Sequence, residues 1–258
     1  MSTHAIITLS ANGARIAAQL VRGGLQADRF IHQDAPTRCT GQRFEAVIPL
    51  TREIFHAYKS LIYIMPCGVV VRALDGLPRH KTKDPAVIVI DTGARHVISL
   101  LSGHEGGAND LALAAANILG AEPIITTTTE ADKDIIVGIG CRRGTPEETI
   151  LAAIRDGLKQ ARVSSKKVRW LASADLKHDE TGLLAAAHTL GIGLRLIPSG
   201  EIRATSRTFG RSSFVQGKVN LPAVAEPAAL LAGRRTSLLL PKTILHGVTI
   251  AVARENSI

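Results

Sequence analysis

Aromatic residues are scarce in this chain, and that shortage sets the first limits. Of 258 residues, two are Tyr, five Phe and one Trp, 3% in all. The hydrophobic fraction is still 45%, so a sizeable core must be aliphatic. Few rings also argue against single-stranded nucleic acid, whose bases need faces to stack on. No RNA-binding consensus or zinc finger is present either. Cysteine is equally sparse. Cys39, Cys67 and Cys141 are odd in number and far apart, which argues against a disulfide framework and fits a reducing cytosol. Metal-ligand spacing is missing, so no metal site in the protein is expected. No apolar run approaches the ~18 residues of a membrane span. The opening, MSTHAIITLSANGARIAAQL, lacks a basic region ahead of its apolar stretch. It reads as a strand and a loop rather than a signal peptide. A cytoplasmic protein with no membrane partner is expected.

Positive charge, by contrast, is in excess. The formal net charge is +9. Residues 1–133 hold 13 Lys/Arg against 12 Asp/Glu, and residues 134–258 hold 18 against 10. The C-terminal half is therefore the part expected to meet something anionic. Nucleic acid is one candidate, weakened by the lack of rings. A polycarboxylate small molecule is the other. A merely soluble basic surface is the plain alternative.

The most informative stretch is ISLLSGHEGGAND, Ile98 to Asp110. The apolar run Val97–Leu101 is long enough for one buried strand. A turn follows, Ser102 to Gly107, then an alanine-rich helix pattern from Ala108 to Leu119 with Gly120 as its cap. Ile124 to Thr127 reads as the next strand. This is the βαβ plan of a parallel sheet, and in such sheets ligands bind outside the carboxyl ends of the strands. The turn is not a Walker loop or a GxGxxG fingerprint. His104-Glu105 is not the start of HExxH, because position 108 is Ala. A tight turn whose histidine is incidental is the alternative reading.

Along the rest of the chain, strands are expected at His4–Leu9, Arg43–Pro49, Leu61–Ile64 and Ala86–Asp91. Helices are expected at Ala14–Val21, Thr51–Lys59 (Thr51 as N-cap) and Val69–Leu74, and RHKTKD, Arg79–Asp84, forms a basic connection. The polar run Glu130–Asp134 is a linker candidate. Beyond it, Ile135–Ile139, Val168–Ala172, Leu194–Ile197, Leu238–Leu240 and Val248–Val252 read as strands. Thr145-Pro146-Glu147-Glu148 looks like a capping box opening a helix to about Ala161. Further helices are read at Asp179–Leu190 and Glu226–Ala232. Ser199–Asn220, with Arg203, Arg207 and Arg211 at every fourth position, reads as a long mobile basic loop. It suits a lid over carboxylates, with a disordered loop as the alternative. Two α/β domains with mainly parallel sheets are expected, 1–132 and 133–258, with the substrate held between them.

These pieces resemble one family, the cobalamin-biosynthesis CbiG proteins, cobalt-precorrin-5A hydrolases of the anaerobic pathway. The N-terminal half resembles the family's N-terminal domain through CGVVVRAL (Cys67–Leu74), KTKDPAVIVID (Lys81–Asp91), ISLLSGHEGGAND and the threonines before Glu130. The C-terminal half resembles a CobE-like domain through VGIGCRRGTPEE (Val137–Glu148), LASADLKHDETGL (Leu171–Leu183), AEPAALLA (Ala225–Ala232) and LLLPK…GVTIAVAR (Leu238–Arg254). The resemblance covers most of the chain and implies a Rossmann-like N-terminal domain. Two departures stand out. Many members carry a middle segment, whereas here Thr129 is only a few residues from Ile135. The threonine run also ends in Thr-Thr-Glu-Ala-Asp.

The resemblance implies an anionic cobalt tetrapyrrole as substrate, an acetate lactone to be opened, and acetaldehyde as the leaving two-carbon unit. Cobalt belongs to the substrate, so no cofactor is expected. A non-catalytic corrinoid carrier is the alternative. Expected partners are the small-molecule substrate, a second copy of the chain, and neighbouring pathway enzymes in transient contact, with no nucleic acid. His104 is the candidate base, since imidazole titrates near neutrality, and Glu105 orients it or is the base itself. Backbone N–H groups of Gly106 and Gly107 are candidate oxyanion donors. The remaining substrate-binding candidates are Arg72, Lys81, Ser102, Gly103, Asn109, Thr126, Thr127, Cys141, Arg142, Arg203, Arg207 and Arg211.

Overall fold

The structure is a computed structural model and describes residues 3–207, 221 and 223–256. The chain divides into two compact units, Met1–Thr127 and Thr128–Ile258. The first contains β1 (His4–Thr8), α1 (Ala11–Arg22), β2 (Ala27–His32), β3 (Gln42–Phe44), α2 (Val47–Ile54) and β4 (Ser60–Ile64). It continues through α3 (Cys67–Ala73), β5 (Ala86–Ile90), β6 (His96–Leu101), α4 (Ala108–Leu119) and β7 (Glu122–Ile124). Its sheet runs β3-β2-β1-β4-β5-β6-β7.

The central strands β4 (SLIYI) and β5 (AVIVI) are buried at every position, as strands covered on both faces must be. Their side chains alternate between two cores. Ile62, Ile64, Ile88 and Ile90 pack with Ile16, Ala17 and Leu20 of α1 and with Ala108, Leu111, Ala112, Ala115 and Ala116 of α4. Leu61, Tyr63, Val87 and Val89 pack with Leu50 and Ile54 of α2, Val70 of α3 and Leu74 at its C-terminal cap. The cores are mainly aliphatic, as the composition requires.

Strands β1 to β5 are mutually parallel, and the pair β6–β7 is parallel as expected. The whole β6–α4–β7 unit is nevertheless inverted, because β6 pairs antiparallel with β5. The connection between them is only Asp91–Arg95, and a connection that short permits only antiparallel neighbours. The turn after β6 therefore lies at the sheet edge where β1, β4 and β5 begin, not where they end. This corrects the expectation taken from an all-parallel sheet.

The second unit contains α5 (Thr128–Ala131), β8 (Ile135–Gly140), α6 (Glu147–Gln160), β9 (Val168–Ala174), α7 (Thr181–Leu190) and β10 (Gly193–Ile197). After these come α8 (Ser199–Ala204), α9 (Ala225–Leu231), β11 (Thr236–Leu245) and β12 (Val248–Glu255). The sheet order is β10-β9-β8-β12-β11. The first three strands are parallel, and β12 is antiparallel to both its neighbours. Both units are thus α/β with mostly parallel strands.

Four local expectations are corrected. Val47–Pro49 opens α2 rather than ending a strand, and Pro49 is tolerated there because the first turn leaves its N–H groups unpaired. Thr51 is buried inside α2, where its hydroxyl accepts from Tyr63 Oη at 3.0 Å, so it caps nothing. Thr145 does not cap α6. Its Oγ1 donates to Arg142 O at 2.7 Å, and Pro146 takes the cap position. Ser199–Ala204, read as loop, is helical.

Candidate functional site

The glycine turn is built around Ser102. This residue takes a left-handed backbone, φ 56°, without being glycine, which stores strain. Its carbonyl accepts two N–H groups, from Gly106 at 3.1 Å and Ala108 at 3.2 Å, and so folds the chain back onto itself. Its side chain is 6% exposed, and its hydroxyl has no partner among the described residues. Gly106 must stay glycine, since a Cβ there would lie 2.4 Å from Ser102 Cβ. Gly107, at φ 83°, delivers the chain into α4. The Gly106 N–H is therefore committed to Ser102 and is not a free oxyanion donor, which corrects one candidate. The Gly107 N–H has no backbone acceptor among the described residues.

Beneath the turn lies a buried polar strap. Asn109, 9% exposed, accepts from Ser99 Oγ at 2.8 Å and donates to Thr127 Oγ1 at 3.2 Å. It ties β6, α4 and the segment after β7 together, and it is not the helix cap. Gly103 rests on this strap. A Cβ there would stand 2.8 Å from both Asn109 Oδ1 and Thr127 Cγ2. Thr127 thus belongs to the support of the turn, while Thr126 is exposed.

On the solvent side, His104, Glu105 and Gly106 are exposed. Glu105 Oε1 pairs with Lys81 Nζ from the basic connection before β5. That hydrogen bond with Lys81 is the main reason the Glu105 carboxyl is held below the usual carboxylate range. Glu105 is an anion near neutrality and not a proton donor. The His104 ring forms no hydrogen bond among the described residues. Asp84 shapes the basic connection: its buried Oδ2 accepts from Arg79 N and His80 N, both at 2.8 Å. The spacing of the motif could not reveal Asp84 or Ser99. A buried carboxylate closing a turn four residues back is a pattern that could have.

The other candidates are not all brought to this turn. Arg72, in the last turn of α3, is exposed, and its Nη1 lies 3.5 Å from Gly68 O. Cys141, Arg142, Arg203 and Arg207 belong to the second unit. Burial pushes the Cys141 thiol up, and the opposing pull of Lys177 does not reverse this, so neighbouring arginines do not activate it. Arg142 is exposed, with its carbonyl held by Thr145. Its neighbour Arg143 makes a forked pair with Asp179 at 2.8 and 3.1 Å. Arg203 is exposed on α8. Arg207 is not a free lid cation: its Nη1 donates to Thr236 O at 3.2 Å and to Thr236 Oγ1. Arg211 and most of the expected lid lie outside the described residues.

A groove lies on the α2–α3 face of the sheet at the end of β6. It is shallow and open, lined by Val71, Leu74, Asp75, Gly76, Pro78, Leu100 and Leu101, with a volume of about 320 Å³. Among the described residues no group of three or more His, Cys, Asp or Glu is placed to hold a metal ion, and no helix is long and apolar enough to cross a membrane.

Comparison with known proteins places both units. Residues 49–130 match the family model "Cobalamin synthesis G N-terminal", and residues 135–253 match "Cobalamin synthesis G C-terminus". The chain is 26% identical to a cobalt-precorrin-5A hydrolase of Salmonella typhimurium, covering 90% of this chain and 95% of that protein. It is 26% identical to a protein of the same name from Priestia megaterium, covering 97% and 94%. The first of these alignments spans 336 positions, more than this chain's whole length, so the relative has residues with no counterpart here. Protein CobE of a Sinorhizobium species is 33% identical over 49% of this chain and 83% of its own length. With an N-terminal match on the unit that carries the glycine turn and a CobE-like C-terminal unit behind it, the chain belongs to the cobalamin-synthesis G (CbiG) family.

Proposed function

We propose that the chain is a cobalt-precorrin-5A hydrolase, opening the acetate lactone of a cobalt tetrapyrrole with release of acetaldehyde. The observation that carries this reading is the exposed ring of His104, unengaged among the described residues and set on a hydrogen-bonded glycine turn beside the Lys81–Glu105 pair. A lactone needs an activated water and donors for the tetrahedral oxyanion. His104 takes a proton from water as the hydroxyl oxygen bonds to the lactone carbonyl carbon. The Gly107 N–H is available to the oxyanion. The ring C–O bond then breaks, and the leaving oxygen recovers the proton from the imidazolium. The two-carbon unit now carries the freed hydroxyl but is still bonded to the macrocycle through carbon. Loss of the hydroxyl proton and cleavage of that carbon–carbon bond, whose electron pair and a proton pass to the macrocycle, release it as acetaldehyde. The protein supplies base, donor and cations, and cobalt arrives with the substrate.

A second reading, a corrinoid carrier without catalysis, is favoured by the chain's shortness against its Salmonella relative. Incubation with cobalt-precorrin-5A, with acetaldehyde trapped and quantified, separates the two. Catalytic release supports the hydrolase. Stoichiometric binding without release supports the carrier.

A further inference from the structure

We propose that the groove beside α3 seats one edge of the macrocycle's apolar, methyl-bearing face, while the basic residues around it take its carboxylates. The proposal rests on the hydrolase or corrinoid reading above and adds where and how the ligand is held.

The groove has a topological cause. Crossover helices cover the faces of a parallel sheet, but β5 and β6 are joined by a hairpin that contributes no helix. Beyond α3 the sheet face is therefore only partly covered. Ile98, Leu100 and Leu101 are half-buried, and Val71 on α3 is 55% exposed. An aliphatic floor left open in this way calls for a partner with an apolar face.

The surroundings specify that partner. Arg72, Arg79 and Lys83 are exposed on the same α3-to-β5 segment, Arg72 and Arg79 each following a lining residue, Val71 and Pro78, while Lys81 is engaged by Glu105. Of the acids nearby, Asp75 lines the groove and Glu105 is already paired with Lys81. An apolar floor with exposed cations on the neighbouring chain suits a flat amphiphile whose carboxylates reach those cations and keep clear of Asp75. The groove adjoins the glycine turn along the chain: its lining residue Leu101 precedes Ser102, and Pro78 precedes Lys81 by three residues. At about 320 Å³ it stands at the low end of ligand pockets, roughly 300–1,000 Å³. It takes an edge of a tetrapyrrole, not the whole ring, leaving the rest over the turn and His104.

The test uses the full chain with Val71→Glu and Val71→Ser, and cobyrinic acid, a cobalt corrin heptacarboxylate, as probe. Val71 is exposed on its helix, so both variants should retain the wild-type far-UV spectrum. Val71→Glu should raise the probe's Kd at least about tenfold, and Val71→Ser should raise it severalfold. Unchanged Kd in both would overturn the proposal. So would a concentration-dependent dimer of the wild type that Val71→Glu dissolves, because the groove would then be a contact between copies. Acetaldehyde release separates this proposal from the functional reading. If wild type and Val71→Glu both turn over cobalt-precorrin-5A with the same KM, the groove proposal fails and the hydrolase stands. If the wild type binds the probe in a Val71-dependent way but releases no acetaldehyde, the hydrolase reading fails and the groove stands.

Discussion

His104 lies on the outer side of the turn with its ring unengaged, and the residues around it are fixed from below. His104→Gln removes the imidazole without disturbing anything that holds the turn. It should lower acetaldehyde release by roughly two to four orders of magnitude, the usual scale for acid–base catalysis, with an unchanged unfolding midpoint. Activity within a few-fold of wild type would remove His104 from the reaction. Glu105 makes a different case. Its carboxyl is depressed by Lys81, so its favourable contribution is present above the usual carboxylate pKa and is lost as pH falls through the lowered value. In Lys81→Met the Glu105 carboxyl should titrate at higher pH than in wild type, as followed by carbon-13 NMR. Equal titration in both would mean that the pair does not persist in solution. The histidine was legible because glycines crowd around it. The Lys81–Glu105 partnership was not, since 24 residues separate the two and only strand pairing brings them together.

The element that organises the first unit is β6–turn–α4–β7, and it was legible as a local pattern. Its orientation in the sheet was not. Periodicity carries no direction, although the five residues Asp91–Arg95 are too few for a parallel crossover. The strand Ala27–His32 (ADRFIH) was missed because its two charges hide any alternation. Val47–Pro49 misled for the opposite reason, since a branched apolar run reads as strand until Pro49 is placed in a helix's first turn. The strap under the turn is the part of this element most sensitive to change. Asn109→Ala leaves Ser99 and Thr127, both partly buried, without their partner. An unsatisfied buried polar group costs about 1–3 kcal/mol. For a chain of this size that corresponds to a fall in Tm of roughly 2–10 °C, with His104 chemistry slowed through loss of the turn's geometry. An unchanged melting curve would mean that the strap does not bear on stability.

At the scale of the whole molecule, the cores follow the division of the chain. One cluster, around Ile135, Ile154, Leu171 and Ile250, lies entirely in the second unit. Those around Ile62 and Tyr63 lie entirely in the first. Each unit is of ordinary domain size and owns its core. Fragments 1–127 and 128–258 should therefore each unfold cooperatively in urea. A fragment with no cooperative transition would show that its core depends on the other half. The excess of positive charge in the second half, visible in the composition, is left unchanged by its ion pairs. Arg143, Arg169 and Arg254 are paired with Asp179, Glu255 and Asp134, and Arg207 is bound to Thr236. Each pair removes one acid with one base, so of these four arginines only Arg207 is a cation engaged by an uncharged partner.

The hairpin that inverts β6 also bears on the order in which the first unit assembles. Val87 pairs with Leu101 and Ile90 with Val97, whereas β1 meets β4 only after His4 has found Ser60. Local pairing closes a small loop and costs little entropy, and such contacts form early. Within the hairpin's turn, Asp91 Oδ1 accepts from Arg95 N and His96 N, and Ala94 is held at φ 54°. Glycine takes that backbone without penalty, so Ala94→Gly should stabilise the fragment 1–127 by about 1 kcal/mol. Most of the gain should appear as faster refolding and not as slower unfolding, read from the two arms of a stopped-flow chevron. A gain confined to the unfolding arm would place the hairpin late. If refolding carries the gain, the stretch that decides how quickly the unit forms is the β5–β6 turn, at the opposite end of β6 from His104.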